Sequence, residues 1–247
     1  MRIIAVIPAR LASVRLPEKP LKEIGGVPLI VRVMDNVRRC RMIDRVIVAT
    51  DSDRIVQAVE QYGGIAEMTS ERHESGTDRV NEVAGRNPAE IYVNVQGDEP
   101  FISPEYIEEA LNPFIEHDFK GISTLCTRID DNSDIDNPNV VKVVRDSTDN
   151  ALYFSRSAIP YYREKSPDLK YYRHIGLYVY DSASIKRFTE IPQCDPEKAE
   201  RLEQLRALYN GIKIKVIESD YKGIGIDTIE DLEKARKFIE DPAVPSS

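Results

Sequence analysis

Four short apolar runs, separated by stretches of helical character, constrain this chain more than any other feature. Ile3 to Ile7, Arg45–Thr50, Ile91–Gln96 and Ile122–Thr127 read as buried strands, the first ending at Pro8. Helix candidates lie near Pro28–Arg39, Asp53–Tyr62, Thr77–Gly85 and Pro104–Glu116. Asp51–Ser52 offers an N-cap to the second of these. Ser103–Pro104 offers the fourth a cap followed by Pro at the first helical position. Such alternation predicts an α/β fold, a three-layer, Rossmann-like and mostly parallel sheet covered by helices on both faces.

The second half reads differently. Val140–Arg145, Leu152–Ser155 and His174–Asp181 are strand candidates without full crossover helices between them, which predicts a small antiparallel subdomain excursion at about 140–200 within a single domain. Tyr161, Tyr162, Tyr171 and Tyr172 flank a polar Arg163–Lys170 segment that reads as an exposed loop. One long amphipathic helix is expected over Pro196–Asn210, ended by Gly211, then a strand at Ile212–Glu218, a loop at Gly223–Gly225 and a last helix from Thr228 to Glu240. The tail Asp241–Ser247 is expected to fray.

Composition narrows the partners. A net charge of -8 argues against nucleic acid, whose phosphates demand a broad basic face. No apolar stretch approaches the roughly 18 residues of a membrane span. The chain opens directly on a strand without a signal-peptide pattern, and its three cysteines, Cys40, Cys126 and Cys194, are far apart and form no metal-binding pair. Reduced thiols in the cytoplasm are the expectation.

Against that acidic background the first twenty-two residues carry five cations, Arg2, Arg10, Arg15, Lys19 and Lys22, and a single acid, Glu18. Pro17 and Pro20 forbid a continuing helix there, so Arg10, Arg15 and Lys19 should lie on a loop leaving the carboxyl end of the first strand. Clustered cations at that edge suit a polyphosphate, and a solvated basic turn is the other reading. Neither standard glycine-rich phosphate loop is present. The third strand runs into Gly97-Asp98-Glu99-Pro100, which delivers a carboxylate to the same sheet edge. Beside a triphosphate, hard oxygen ligands such as Asp98 suit Mg²⁺; turn chemistry is the alternative. Asp227, just before the last helix, reads first as a helix-start acid and second as a metal ligand. Ser75-Gly76-Thr77 is equally a plain N-cap and a set of small groups that lets backbone amides approach a flat base.

The wording of the chain resolves these choices by resemblance. P-A-R-x-x-S-x-R-L-P-x-K-P-L from Pro8 to Leu21 resembles the opening signature of the sugar-acid cytidylyltransferases. H-x-S-G-T at His73, V-N-V-Q-G-D-E-P at Val93, N-P-N-x-V-K-V-V at Asn137 and A-L-Y-F-S-R at Ala151 follow in order. R-H-I-G-L-Y at Arg173, L-E-Q-L-R at Leu202 and G-I-D-T at Gly225 complete the series. Together they are similar to the 3-deoxy-manno-octulosonate (Kdo) cytidylyltransferase family over nearly the whole chain.

That resemblance implies a nucleotide-diphospho-sugar transferase-like fold, a homodimer, and Mg²⁺-dependent coupling of CTP to a keto-sugar acid for lipopolysaccharide biosynthesis. It implies catalytic roles for Arg10, Lys19, Asp98 and Asp227, with Mg²⁺ on the two aspartates. CTP falls to Arg10, Arg15, Lys19, Ser75, Gly76, Thr77 and Gln96, the triplet at 75–77 taking the cytosine. The sugar acid falls to Gln96, Arg156, His174, Tyr178, Glu203 and Gln204. By the residues alone, His174 reads as a structural hydrogen-bonder, and on a continuous helix Glu203 lies opposite the Leu202/Leu205/Tyr209 stripe with Gln204 on its flank, a solvated face. The stretch Pro196–Glu200 departs from the family wording at Ala199, where isoleucine would stand. Rival readings are activation of a related acid, the 8-amino analogue or a nonulosonate, and a catalytically silent nucleotide-binding regulator.

Overall fold

The computed structural model describes residues 1–13, 15–164, 170–223 and 225–240. The expected loop within Arg163–Lys170 falls mostly, and the tail from Asp241 wholly, outside the described residues. In chain order the elements are β1 (Ile3–Ala9), β2 (Glu23–Ile24), β3 (Val27–Pro28), α1 (Leu29–Arg38), β4 (Arg45–Thr50), α2 (Asp53–Gln61) and β5 (Ala66–Met68). Then come α3 (Gly76–Arg86), β6 (Ile91–Asn94), α4 (Pro104–Glu116), β7 (Ile122–Arg128), β8 (Lys142–Arg145), β9 (Ala151–Ser155) and β10 (Tyr172–Asp181). The chain ends with α5 (Ser182–Glu190), α6 (Asp195–Glu200), α7 (Gln204–Tyr209), β11 (Ile214–Glu218) and α8 (Ile229–Glu240). They divide into two compact units, Met1–Glu108 with the stretch from Lys222, and Glu109–Tyr221.

The first unit is built on parallel strands in the order β6-β1-β4-β5. β1 is buried along almost its whole length because strands pair on both sides and helices cover it, which is why its sequence is a continuous apolar run. α1 buries Leu29, Ile30, Val31, Val33, Met34 and Val37, each such side chain contributing about 2 kcal/mol of transfer free energy. Register carries the functional consequence. Ala9 lies beside Thr50 and Val6 beside Asn94, so the residues after β1, β4 and β6 all emerge at one carboxyl edge. The hairpin β2–β3 turns through Gly25 and Gly26, both at positive φ, and is too short to show as period-two alternation. α8 returns to this unit, where Leu232 and Ala235 pack with Leu16, Ile24, Leu29 and Ile226.

The second unit holds strands in the order β9-β8-β10-β7-β11, antiparallel except for the β7–β11 pair. This is the antiparallel region expected from the sequence. One expected element is corrected. Pro196–Asn210 is not one helix but α6 and α7, broken at Arg201, whose φ of 52° is left-handed. The break lets Arg206 reach back to the buried carboxylate of Glu197, with Nε to Oε2 at 2.8 Å. A helix at Ser182–Glu190, capped by Asp181 accepting from the Ser184 amide at 2.8 Å, also stands where the sequence reading placed nothing. All three cysteines are buried and free. No helix among the described residues is long and apolar enough to cross a membrane.

Candidate active site

At the carboxyl edge of the first unit the backbone is drawn tight before any side chain acts. A Cβ on Gly97 would stand 2.8 Å from the Pro8 carbonyl, so only glycine allows the chain after β6 to pass the end of β1. Gly76 sits equally close, its absent Cβ 3.1 Å from the Pro8 ring and 4.0 Å from Gln96 Oε1. The start of α3, Gln96 and the P-A-R loop therefore meet at one place. Ser75 caps α3, its Oγ accepting from the Asp78 amide at 3.1 Å and donating to Asp78 Oδ2 at 2.9 Å. Thr77 is buried, and Gln96 donates to Asn94 Oδ1 at 3.3 Å. The Arg10 guanidinium donates to the His73 carbonyl, and His73 is in turn held by Glu82.

The expected loop after Arg10 tightens into a single 3-10 turn at Lys19–Leu21, with Pro20 in its first turn and Glu18 in a left-handed conformation beside Arg54. That turn aims Lys19 inward. Its Nζ donates to Asp98 Oδ2 at 2.8 Å, Asp227 Oδ1 at 3.1 Å and the Ile226 carbonyl at 2.9 Å. Arg15 reaches the other oxygen of Asp227 at 3.1 Å. The two segments are also joined directly, Ile226 N donating to Asp98 O at 2.9 Å. Burial opposes the Lys19 charge, but the two carboxylates outweigh it and raise its pKa above the ordinary value.

The hydrogen bonds bear on the turn and helix-start readings of the two aspartates. Asp231, a first-turn acid of α8, rather than Asp227, serves the helix start, its Oδ2 accepting from the Thr228 amide at 2.9 Å and from the Asp227 amide at 3.1 Å. Asp98 spends its carboxylate on Lys19 rather than on a turn amide. Two carboxylates meeting one cation form a hard, anionic oxygen pair. That donor set fits Mg²⁺, which takes one or two protein carboxylates and completes its shell from phosphate and water. No cluster of three or more acidic, His or Cys ligands exists among the described residues, so a cation held by protein atoms alone does not fit.

Of the sugar-acid candidates, Gln96 lies in the first unit and the others in the second. His174 shares a hydrogen bond with Thr124 Oγ1 at 3.0 Å, and its ring lies 4.9 Å from Phe154 and 5.4 Å from Tyr178. Burial holds its pKa down at about 3, so the imidazole is neutral. Burial, reinforced by Tyr180 and Glu203, pushes the Tyr178 hydroxyl well above its ordinary value, which keeps its proton. Gln204 is buried at 6% exposure, a correction to the solvated face expected of it, because α7 is covered at four consecutive positions, Gln204 to Ala207, rather than along one stripe. Arg156 donates from Nε to the Glu200 carbonyl at 2.8 Å and from Nη1 to the Pro138 carbonyl at 2.8 Å.

Several residues essential to this arrangement escaped sequence reading. Arg79 is fully buried, bonded to Thr69 Oγ1 at 2.6 Å and to Asp51, while the other Asp51 oxygen accepts from Leu11 N at 3.3 Å. They tie α3 to the loop that follows β1. The only signal was an acid at the end of a strand, read as part of a helix cap.

Comparison with known proteins decides the family. The family model for cytidylyltransferases matches residues 4–214. A 3-deoxy-manno-octulosonate cytidylyltransferase of Geobacter sulfurreducens is 50% identical over 95% of this chain and 98% of its own. That of Pelobacter propionicus is 49% identical over 96% and 97%. This chain belongs to the 3-deoxy-manno-octulosonate cytidylyltransferase family. The crystal structure of a CMP:2-keto-3-deoxy-manno-octonic acid synthetase complexed with CTP superposes with a TM-score of 0.94 at 41% identity, over 98% of this chain and all of that one. A 4-diphosphocytidyl-2C-methyl-D-erythritol synthase from Anaerococcus prevotii shares the fold alone, at TM-score 0.64 and 19% identity over 97% and 98% of the two chains.

Proposed function

We propose that this chain, as a member of the cytidylyltransferase family, transfers the cytidylyl group of CTP to 3-deoxy-D-manno-octulosonate. The anomeric hydroxyl attacks the α-phosphorus and loses its proton, a new P–O bond forms, the bond to the bridging oxygen breaks and pyrophosphate leaves. The observation that carries this reading is the convergence of Asp98 and Asp227 on Lys19 Nζ at 2.8 and 3.1 Å. A dication on the aspartates would supply charge neutralisation at the phosphate and acidify the attacking hydroxyl. The chain's own groups do the rest. Lys19, kept protonated by its carboxylate neighbours, meets the leaving phosphates as a fixed cation, and Arg10 and Arg15 are assigned to the phosphates with it. Ser75, Gly76 and Thr77 take the cytosine.

For the acceptor, we assign Gln96, Arg156, His174, Tyr178, Glu203 and Gln204. With His174 neutral, the sugar carboxylate is met by the Arg156 guanidinium, and His174 and Tyr178 serve as uncharged hydrogen-bonding groups. We also infer a homodimer, supported by exposed Leu152, Tyr153 and Tyr161 on and near the β9 edge, and a cytoplasmic setting, supported by three unpaired cysteines. The test is pyrophosphate release. Turnover should require CTP, Mg²⁺ and the eight-carbon keto-acid together. Equal rates with ATP remove the base assignment, a faster rate with the 8-amino analogue changes the acceptor, and CTP binding without turnover on any acid turns the reading to a regulator.

A further inference from the structure

Lys142 is a buried lysine that the reaction does not use. It lies on β8, its side chain has no solvent exposure, and among the described residues its Nζ makes no contact ion pair with a carboxylate. Instead it donates to three backbone carbonyls, Asn137 at 3.0 Å, Val140 at 2.7 Å and Arg156 at 2.6 Å. An ammonium buried this way costs several kcal/mol of desolvation, so a neutral apolar residue would serve packing better. The three carbonyls share one property. All belong to the two segments that surround the Arg156 guanidinium. Asn137 and Val140 bracket Pro138, whose carbonyl takes Arg156 Nη1 at 2.8 Å. The third carbonyl is that of Arg156 itself. Glu200 closes the frame from α6, its Oε2 accepting from Arg156 N at 2.9 Å, its Oε1 from Ser155 Oγ at 2.6 Å, and its carbonyl from Arg156 Nε at 2.8 Å. Two of the three guanidinium nitrogens are thus fixed by carbonyls, and Nη2 has no partner among the described residues.

We propose that Lys142 is a positioning residue for the acceptor: by pinning the 137–140 turn and the Arg156 backbone to one point, it fixes the plane and direction in which Arg156 presents Nη2 to the carboxylate of the sugar acid. This rests on the assignment of Arg156 to that carboxylate. A free arginine side chain would lose rotamer freedom on each binding event, whereas a clamped one binds without that cost.

Steady-state kinetics on the purified enzyme, with CTP and 3-deoxy-D-manno-octulosonate varied in turn, separate the possibilities. Lys142→Met should raise KM for the sugar acid about tenfold or more, since a misplaced positioning group costs on that order, and leave KM for CTP within about twofold. In an Arg156→Ala background the same substitution should raise sugar-acid KM no further, because the effect acts through that guanidinium. Lys142→Arg retains charge and gives a folded protein to measure if the Met variant does not. Its planar fork cannot serve three carbonyls around one point, so the same selective shift is expected, about threefold. An unchanged sugar-acid KM in either folded variant overturns the proposal. So does an equal rise for CTP, or additivity with Arg156→Ala, which marks a general structural role. A shifted Arg156→Ala beside an unshifted Lys142→Met overturns this inference alone; an unshifted Arg156→Ala removes the underlying assignment as well.

Discussion

Lys19 shows how one side chain changes meaning between sequence and fold. In sequence it is one of five cations in a proline-bearing stretch, set apart from Lys22 only by the P-x-K-P-L wording around it. In the fold it is mostly buried against two carboxylates from distant parts of the chain. Because negative charge on the departing phosphates is greatest in the transition state, Lys19→Ala should lower kcat on the order of 100-fold while KM for CTP moves far less. Steady-state kinetics check the split, and a loss confined to KM would make Lys19 a ground-state binder. His174 carries a second prediction. Its pKa near 3 in the fold lies below its ordinary 6.5, so between those values the unfolded chain binds a proton that the folded one refuses. Stability should therefore fall as pH drops below about 6.5, by up to roughly 2 kcal/mol between pH 7 and pH 5 from this residue. His174→Gln should flatten the curve by that amount in urea unfolding at the two pH values. Identical slopes for both proteins would mean that the imidazole is not held neutral.

Elements with strong periodicity were legible from sequence, and those set by one backbone angle were not. The β1 run, the capped α3 and the α1 stripe follow from apolar spacing and hydroxyl caps. The α6–α7 break hides because a left-handed residue is normally announced by glycine, and here it is Arg201. Gln204 read as solvated and is buried because α7 is covered at four consecutive positions, which a one-stripe projection does not foresee. β5 and the β2–β3 hairpin are too short for any pattern to register. Arg10, Lys19, Asp98 and Asp227 were singled out through the wording around them, and the fold brings the last three together. Asp51, Arg79, Lys142 and Glu200 were not, since a charged residue whose partner, backbone or side chain, is distant in sequence looks like any surface charge. The break itself is testable. Arg201→Gly removes the Cβ penalty of φ 52° and should stabilise the protein by about 1 kcal/mol, read as a rise in the urea midpoint. A loss of stability would mean that the Arg201 side chain contributes more than the strain it imposes.

Across the whole molecule, exposed Leu152 at 59% and Tyr161 at 87% are large apolar surfaces for a chain of net charge -8 to leave in water. Sedimentation equilibrium should return twice the chain mass, and Leu152→Glu should shift it to the monomer; a monomeric wild-type protein removes the dimer from the account. The proposed reaction centre is equally assembled over long range, since Lys19, Asp98 and Asp227 lie far apart in the sequence and meet in the fold. If the two aspartates form the cation site, their charge serves chemistry and their shape serves little else. The decisive measurement is turnover and melting temperature, taken together, for Asp98→Asn and Asp227→Asn. Both variants should melt close to wild type while pyrophosphate release nearly vanishes, with added Mg²⁺ restoring part of it in each single variant and none in the double. Variants that melt early but keep their activity per folded molecule would show two structural acids, and would contradict the mechanism at its centre.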